Sequence, residues 1–174
     1  MKTYHRAVAG LLSLTIGLAG LARSERENRD VSIDFGSPSG YTDIEIEGYS
    51  GDREQRIVLE AIRSEMEDQA RLYLPIEYAL EVRVDDIDLA GYYEPMYPKY
   101  DRVRIMRATY PPRFDFRFAV RDAEGGVLLE GERSLADLNF LWRLDLPSRK
   151  QETAYYVRSL LKDWARSELA PLGK

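Results

Sequence analysis

The densest group of side chains able to do chemistry is Asp85-Asp86-Ile87-Asp88, with Glu94 shortly after. Carboxylates are hard oxygen donors of the kind that hold calcium or magnesium. Pairs of them also carry acid-base hydrolysis when their separation is fixed. The spacing lacks the alternating ligands and central glycine of a calcium loop, and nothing in the sequence sets a distance between any two of these acids. Two chemical readings therefore stand beside a plainer one. Asp85, Asp86, Asp88 and Glu94 form a divalent-cation site, or they serve a carboxylate-dependent hydrolase. In the plainer reading, a strand end exposes its acids to solvent and pairs them with Arg102 or Arg104, because structural ion pairs are commoner than sites.

The second stretch is Gly91-Tyr92-Tyr93-Glu94-Pro95-Met96-Tyr97-Pro98-Lys99-Tyr100, followed by Tyr110-Pro111-Pro112. Tyrosine offers a large rigid ring and a hydroxyl at low entropic cost, which suits a contact surface. Tyr92, Tyr93, Tyr97 and Tyr100 are thus candidates for binding a partner. The competing expectation is a proline-stiffened loop whose rings pack on their own domain.

Much other chemistry is excluded. The chain has no cysteine, and its single histidine is His5. Met1 to Arg6 is a short basic start, Ala7 to Leu18 is an uncharged apolar run, and Gly20 and Ala22 are small residues placed for cleavage before Arg23. This is the three-part pattern of a secretory signal peptide over residues 1–22. The apolar run is short for a bilayer span, which takes about 20 residues, and no later segment is apolar enough to make one. Cleavage removes His5, and with it imidazole catalysis, while thiolate nucleophiles and the usual zinc ligands are absent throughout. No glycine-rich phosphate loop occurs, so no cofactor is implied. Loss of Lys2 and Arg6 moves the formal charge from -5 to -7. An acidic domain with interleaved arginines is disfavoured on nucleic acid, which needs a clustered basic face.

The elements that must position these residues read clearly. Arg23 to Asp30 is charged and non-periodic, a flexible N-terminal segment (23–30). Val31-Ser32-Ile33-Asp34-Phe35 alternates as a strand, and Gly36 to Gly40 breaks it. From Asp52, placed as an N-cap, Val58, Ile62, Met66 and Ala70 recur at helical spacing until Leu74-Pro75. Leu80, Val82 and Val84 share one phase, whereas Ile87 and Leu89 take the other, so a bulge or strand end falls at Asp85-Asp86. Val103 and Ile105 mark a short strand. Phe114, Phe116, Phe118 and Val120 alternate strictly, with outward Asp115, Arg117 and Arg121 forming a charge ladder that Glu130, Glu132 and Arg133 would complete. Asp122 to Gly126 turns the chain into Val127-Leu128-Leu129-Glu130 as a hairpin. A last helix begins near Ser148, whose hydroxyl with Gln151 fits a capping box, and buries Val157, Leu160, Leu161, Trp164 and Ala165. Trp142 and Trp164 are both assigned to the core or to a staple. Strand, helix, a run of strands and a helix predict an α+β fold. It is a single largely antiparallel sheet of four to five strands with two amphipathic helices on one face, in one domain over residues 31–174.

The segments Asp86-Ile87-Asp88-Leu89-Ala90-Gly91 with Glu94-Pro95, Val103-Arg104-Ile105-Met106, Pro111-Pro112-Arg113 and Leu160-Leu161-Lys162-Asp163-Trp164 resemble one family. It is the exported Gram-negative domain-of-unknown-function family, number three-zero-one-six, and the resemblance runs from Val31 to Trp164. The chain departs from it at Gly91-Tyr92-Tyr93, where the family's loop is expected to be more polar and less aromatic. The resemblance implies an exported protein of a Gram-negative cell envelope and transfers no catalytic residue. Taken together, these features predict a non-enzymatic periplasmic binding or accessory module. Its partner would be a protein or envelope component, met by the sheet edge or the tyrosine loop.

Overall fold

The computed structural model describes residues 30–44, 52–93, 104–144 and 152–173. The signal segment, residues 23–29 of the charged stretch after it, Glu94, Tyr97, Tyr100, Arg102, Val103 and the Ser148–Gln151 capping box lie outside these residues. Within them are strand β1 (Val31–Asp34), helix α1 (Asp52–Tyr73), strands β2 (Ala79–Asp88), β3 (Arg113–Arg121) and β4 (Val127–Ala136), and helix α2 (Tyr155–Glu168). The four strands form one sheet in the order β1-β2-β3-β4. β1 runs parallel to β2, and the other two pairings are antiparallel. The α+β expectation of a mostly antiparallel sheet with two packed helices is met.

Period-2 patterning decides which face of the sheet is covered. Leu80, Val82 and Val84 of β2 and Phe114, Phe116, Phe118 and Val120 of β3 all point to the helices and are buried. Their phase slips where the sequence slips: the β2–β3 register shifts between Val84 and Asp86, and Ile87 returns to the core. α1 lays Val58, Ile62, Met66 and Ala70 on this face, and α2 lays Val157, Leu160, Leu161, Trp164 and Ala165. Trp164 wedges edge-on against both Phe116 and Phe118, with ring centroids 5.0 Å apart in each case. Edge-to-face contacts of this kind add about 0.5–1.5 kcal/mol beyond the area they bury.

Two boundaries differ from expectation. α2 starts at Tyr155 rather than near Ser148, because Ala154 sits in the left-handed region (φ 52) and breaks the helix on its N-terminal side. Among the described residues, Ile105 forms an isolated bridge with Tyr92 rather than part of a strand, and Val103 lies outside them. The hairpin is as expected: the Asp122 carboxylate accepts the amides of Glu124 and Gly126, and Gly125 takes φ +84.

The helices are also tied to each other by charge. Glu65 of α1 is 2% exposed. It accepts from Arg158 of α2 at 3.0 Å and from Gln69 at 2.7 Å, with Lys162 at 3.4 Å. A buried carboxylate is tolerated only with such partners. Arg158→Met removes the closest cation while keeping the apolar stem. We expect it to lower the unfolding free energy by about 1.5–3 kcal/mol, the value of a hydrogen bond to a charged group, as read from urea denaturation.

Candidate functional site

Beyond the bulge, the acids of β2 fan out along the sheet face that the helices leave open. Each is held differently. Asp85 takes both arms of Arg117 from β3, at 2.6 and 3.0 Å, and that bond holds its carboxyl below the usual range. Asp86 accepts from the Thr42 amide at 2.7 Å and the Thr42 hydroxyl at 2.6 Å. Asp88 is partly buried, and its carboxyl is pushed up to about 6 by desolvation and then by the neighbouring Asp43 and Asp86. Asp85 and Asp86 therefore spend their oxygens on protein donors, leaving Asp88 as the acid poised to titrate near neutrality. Among the described residues, no three carboxylates group in a way that could hold a metal ion. The open face carries a groove of about 440 Å³, lined in part by Asp30, Asp34, Glu81, Arg83 and Arg117, but Asp85, Asp86 and Asp88 are outside its lining.

Of the two cations expected from sequence beside these acids, Arg102 lies outside the described residues, and Arg104 makes its close ion pair elsewhere while its charge also acts on Asp88. Arg104 forms a nearly buried bidentate pair with Asp43, at 2.7 and 2.9 Å, and donates to the Gly91 carbonyl at 2.8 Å. Asp43 is placed by backbone pairing: its amide donates to Ile87 and its carbonyl accepts from Leu89, each at 3.0 Å, so the chain after β1 rejoins the sheet beside Asp88. Gly91 takes φ +79, and a Cβ there would lie 2.8 Å from the Ile105 carbonyl and 2.7 Å from Met106 Sδ. Only glycine fits where the turn, the carbonyl and the guanidinium converge.

Two of the four candidate tyrosines can be placed. The Tyr93 ring lies under Arg104, 4.8 Å from the guanidinium carbon, so it packs on its own protein. Tyr92 is bridged through its backbone to Ile105, and its ring leans on Tyr110 with centroids 5.5 Å apart, yet 48% of it stays exposed. The start of the loop is therefore a fixed aromatic shoulder.

A second surface was missed. Trp142, assigned to the core with Trp164, is 82% exposed, and Leu138 (69%), Leu141 and Leu144 stand exposed around it. The cause is local. Phe140 takes the only buried position in the 3₁₀ turn Phe140–Trp142 and stacks edge-on against Tyr156 at 5.0 Å. Arg143 then clamps the segment to Asp137 at 2.6 Å and to Asp163 of α2 at 2.7 Å. With three residues per turn, Leu141 and Trp142 are left outward. The signal lay in the run Leu138-Asn139-Phe140-Leu141-Trp142-Arg143-Leu144, which is richer in large apolar residues than one side of a short turn can bury. The expected charge ladder is also only partly formed. Arg117 and Arg121 pair across to Asp85 and Glu81 of β2, whereas Arg133 points to the opposite face. There it lies 5.3 Å over the Phe118 ring and grips Glu168 at 2.6 and 2.7 Å.

The architecture is thus an α+β sheet open on one side, with a shoulder of tyrosines and a projecting tryptophan. The family profile described as "Protein of unknown function (DUF3016)" matches residues 29–167, and the chain belongs to that family. No curated protein matches it. Among solved structures it is similar to the dodecamer of a PelC variant from Paraburkholderia phytofirmans. That chain is 9% identical, with 85% of this chain and 88% of that one covered at TM-score 0.38. A second PelC dodecamer from the same organism is 12% identical, covering 86% and 91% at TM-score 0.34.

Two outcomes test this geometry. Asp88 is raised in the folded state, so its protonated form is favoured there. Its contribution to stability is complete below the unfolded value of 3.8 and is lost as pH rises towards about 6. Asp88→Asn should therefore stabilise the protein at pH 7.5, by about 1 kcal/mol after discounting for solvent exposure, and make little difference at pH 4. Thermal melts at the two pH values check this. Gly91→Ala should destabilise by about 1–3 kcal/mol through backbone strain and steric conflict, measured by chemical denaturation.

Proposed function

We propose that the protein is a non-enzymatic binding module, exported to the periplasm by cleavage of residues 1–22 and acting there on a protein partner. The observation that carries this reading is the ridge of Leu138, Leu141, Trp142 and Leu144. Large apolar side chains gathered in the open mark an interaction surface, and tryptophan is enriched among residues that dominate binding energy. This ridge is held on a rigid base by the buried Phe140 and the Arg143 clamp, so little ordering cost remains when a partner covers it. Tyr92 and Tyr110 supply a second, flatter aromatic contact. The chemistry of the mature chain agrees, since it holds neither thiol nor imidazole.

Affinity capture from periplasmic extract tests the reading. Trp142→Ser should leave folding intact, because the ring is mostly exposed, and should abolish recovery of the specific partner; Tyr92→Ala should weaken it less. An unchanged set of captured proteins with Trp142→Ser would remove the ridge as the contact surface.

A further inference from the structure

Ala136, the last residue of β4, lies immediately before the ridge, and β4 is the terminal strand of the sheet. Among the described residues it is hydrogen-bonded to β3 on one side only. Ten residues of backbone therefore present alternate N–H and C=O groups to whatever lies beside them. No residue of β4 is buried, and no proline interrupts it. The opposite edge, β1, spans only four residues. We infer that β4 is an acceptor edge on which the partner lays an extended strand, and that this strand carries lysine or arginine on the side facing Glu130 and Glu132. This rests on the binding-module reading and specifies its mode.

Charge selects the occupant. On the open face, β4 shows Leu128, Glu130, Glu132, Ser134 and Ala136, all exposed. The strand's only cation, Arg133, is drawn to the other face, over Phe118 to Glu168. Gly131 makes room for it, since a Cβ there would lie 2.6 Å from the Arg133 guanidinium. Arg117 lies across from Glu132 and its charge acts on it, but its hydrogen bonds go to Asp85. The charged side chains that β4 itself shows on this face, Glu130 and Glu132, are both acidic. A second copy of the same strand is a poor fit. Antiparallel self-pairing that keeps both open faces on one side joins even positions to even positions. The two registers of greatest overlap set Glu130 against Glu132, or Glu132 against itself. Like charges directly opposite are destabilising, while opposite charges there are favourable. A strand added along β4 gains main-chain hydrogen bonds from the edge and specificity from alternate side chains. Its end also reaches the Trp142 ridge, so both surfaces serve one partner.

The test uses isotopically labelled mature protein and a synthetic peptide in which lysine and valine alternate, with a counterpart carrying glutamate in place of lysine. The lysine peptide should slow hydrogen exchange at alternate amides of Val127–Ala136. It should also bind about tenfold tighter than the glutamate peptide, as two cross-strand pairs allow. In Glu130→Lys/Glu132→Lys the preference should reverse. Glu130→Gln/Glu132→Gln, a milder change on an exposed face, should bring the two affinities together. Exchange in β4 that neither peptide alters, or equal binding of both by the native protein, would overturn the proposal. So would β4 amides already protected in a self-associated form by sedimentation, which would give the edge to a second copy. Partner capture with Trp142→Ser reads separately: loss of capture with β4 unresponsive ends strand addition alone and leaves the binding-module reading in place.

Discussion

The bidentate pair between Asp43 and Arg104 is the tie on which the functional end of the sheet depends. It joins the segment after β1 to the segment before β3, and through the Gly91 carbonyl it also holds the turn after β2. Burying two charges is favourable only when their remaining donors and acceptors are met. Here the guanidinium is met by a carboxylate, a carbonyl and the Tyr93 ring, so its desolvation is offset on several sides. With that corner fixed, Asp86 can cap Thr42 and Asp88 is left crowded by like charge. The acids of β2 thus differ through their own neighbours: Arg117 holds Asp85, Thr42 holds Asp86, and Asp88 is raised by burial and by the like charges of Asp43 and Asp86.

How much of this was legible depends on the range of the interaction. The alternation of Phe114, Phe116, Phe118 and Val120, the helical stripe from Val58 to Ala70 and the phase slip at Asp85-Asp86 all arise from backbone periodicity within a few residues. Each appears in the structure where the sequence placed it. The Asp43–Arg104 pair joins residues 61 positions apart, and nothing local in either residue names its partner. Arg133 shows the same limit at shorter range. Period 2 does place it on the helix side of β4, opposite to Glu130 and Glu132, but its salt bridge needs Glu168 from α2 and the space left by Gly131.

Trp142 was misplaced for a different reason. Hydrophobicity predicts burial only when an element has room to bury the residue, and a single 3₁₀ turn has one inward position. Phe140 takes it. The α2 helix, by contrast, has several turns with which to bury Trp164, so two tryptophans of equal hydropathy end in opposite environments. Their difference lies in the length of the element that carries them.

The two faces of the sheet follow from the same economy of covering surface. Two helices suffice to cover β2 and β3, and β4 lies at the margin, where its helix-side residues Leu129, Arg133 and Leu135 are only half-buried. A marginal strand is where a fold must guard against pairing with its own kind. Glu130 and Glu132 do this on the open face, while the arginine that could neutralise them is committed to Glu168 on the other. A guard made of charge is selective in a way that a proline or a covering helix is not. It repels the identical strand and admits one of opposite sign. On the proposed strand addition, the acids that disfavour self-pairing along this edge are also the ones that select what binds it.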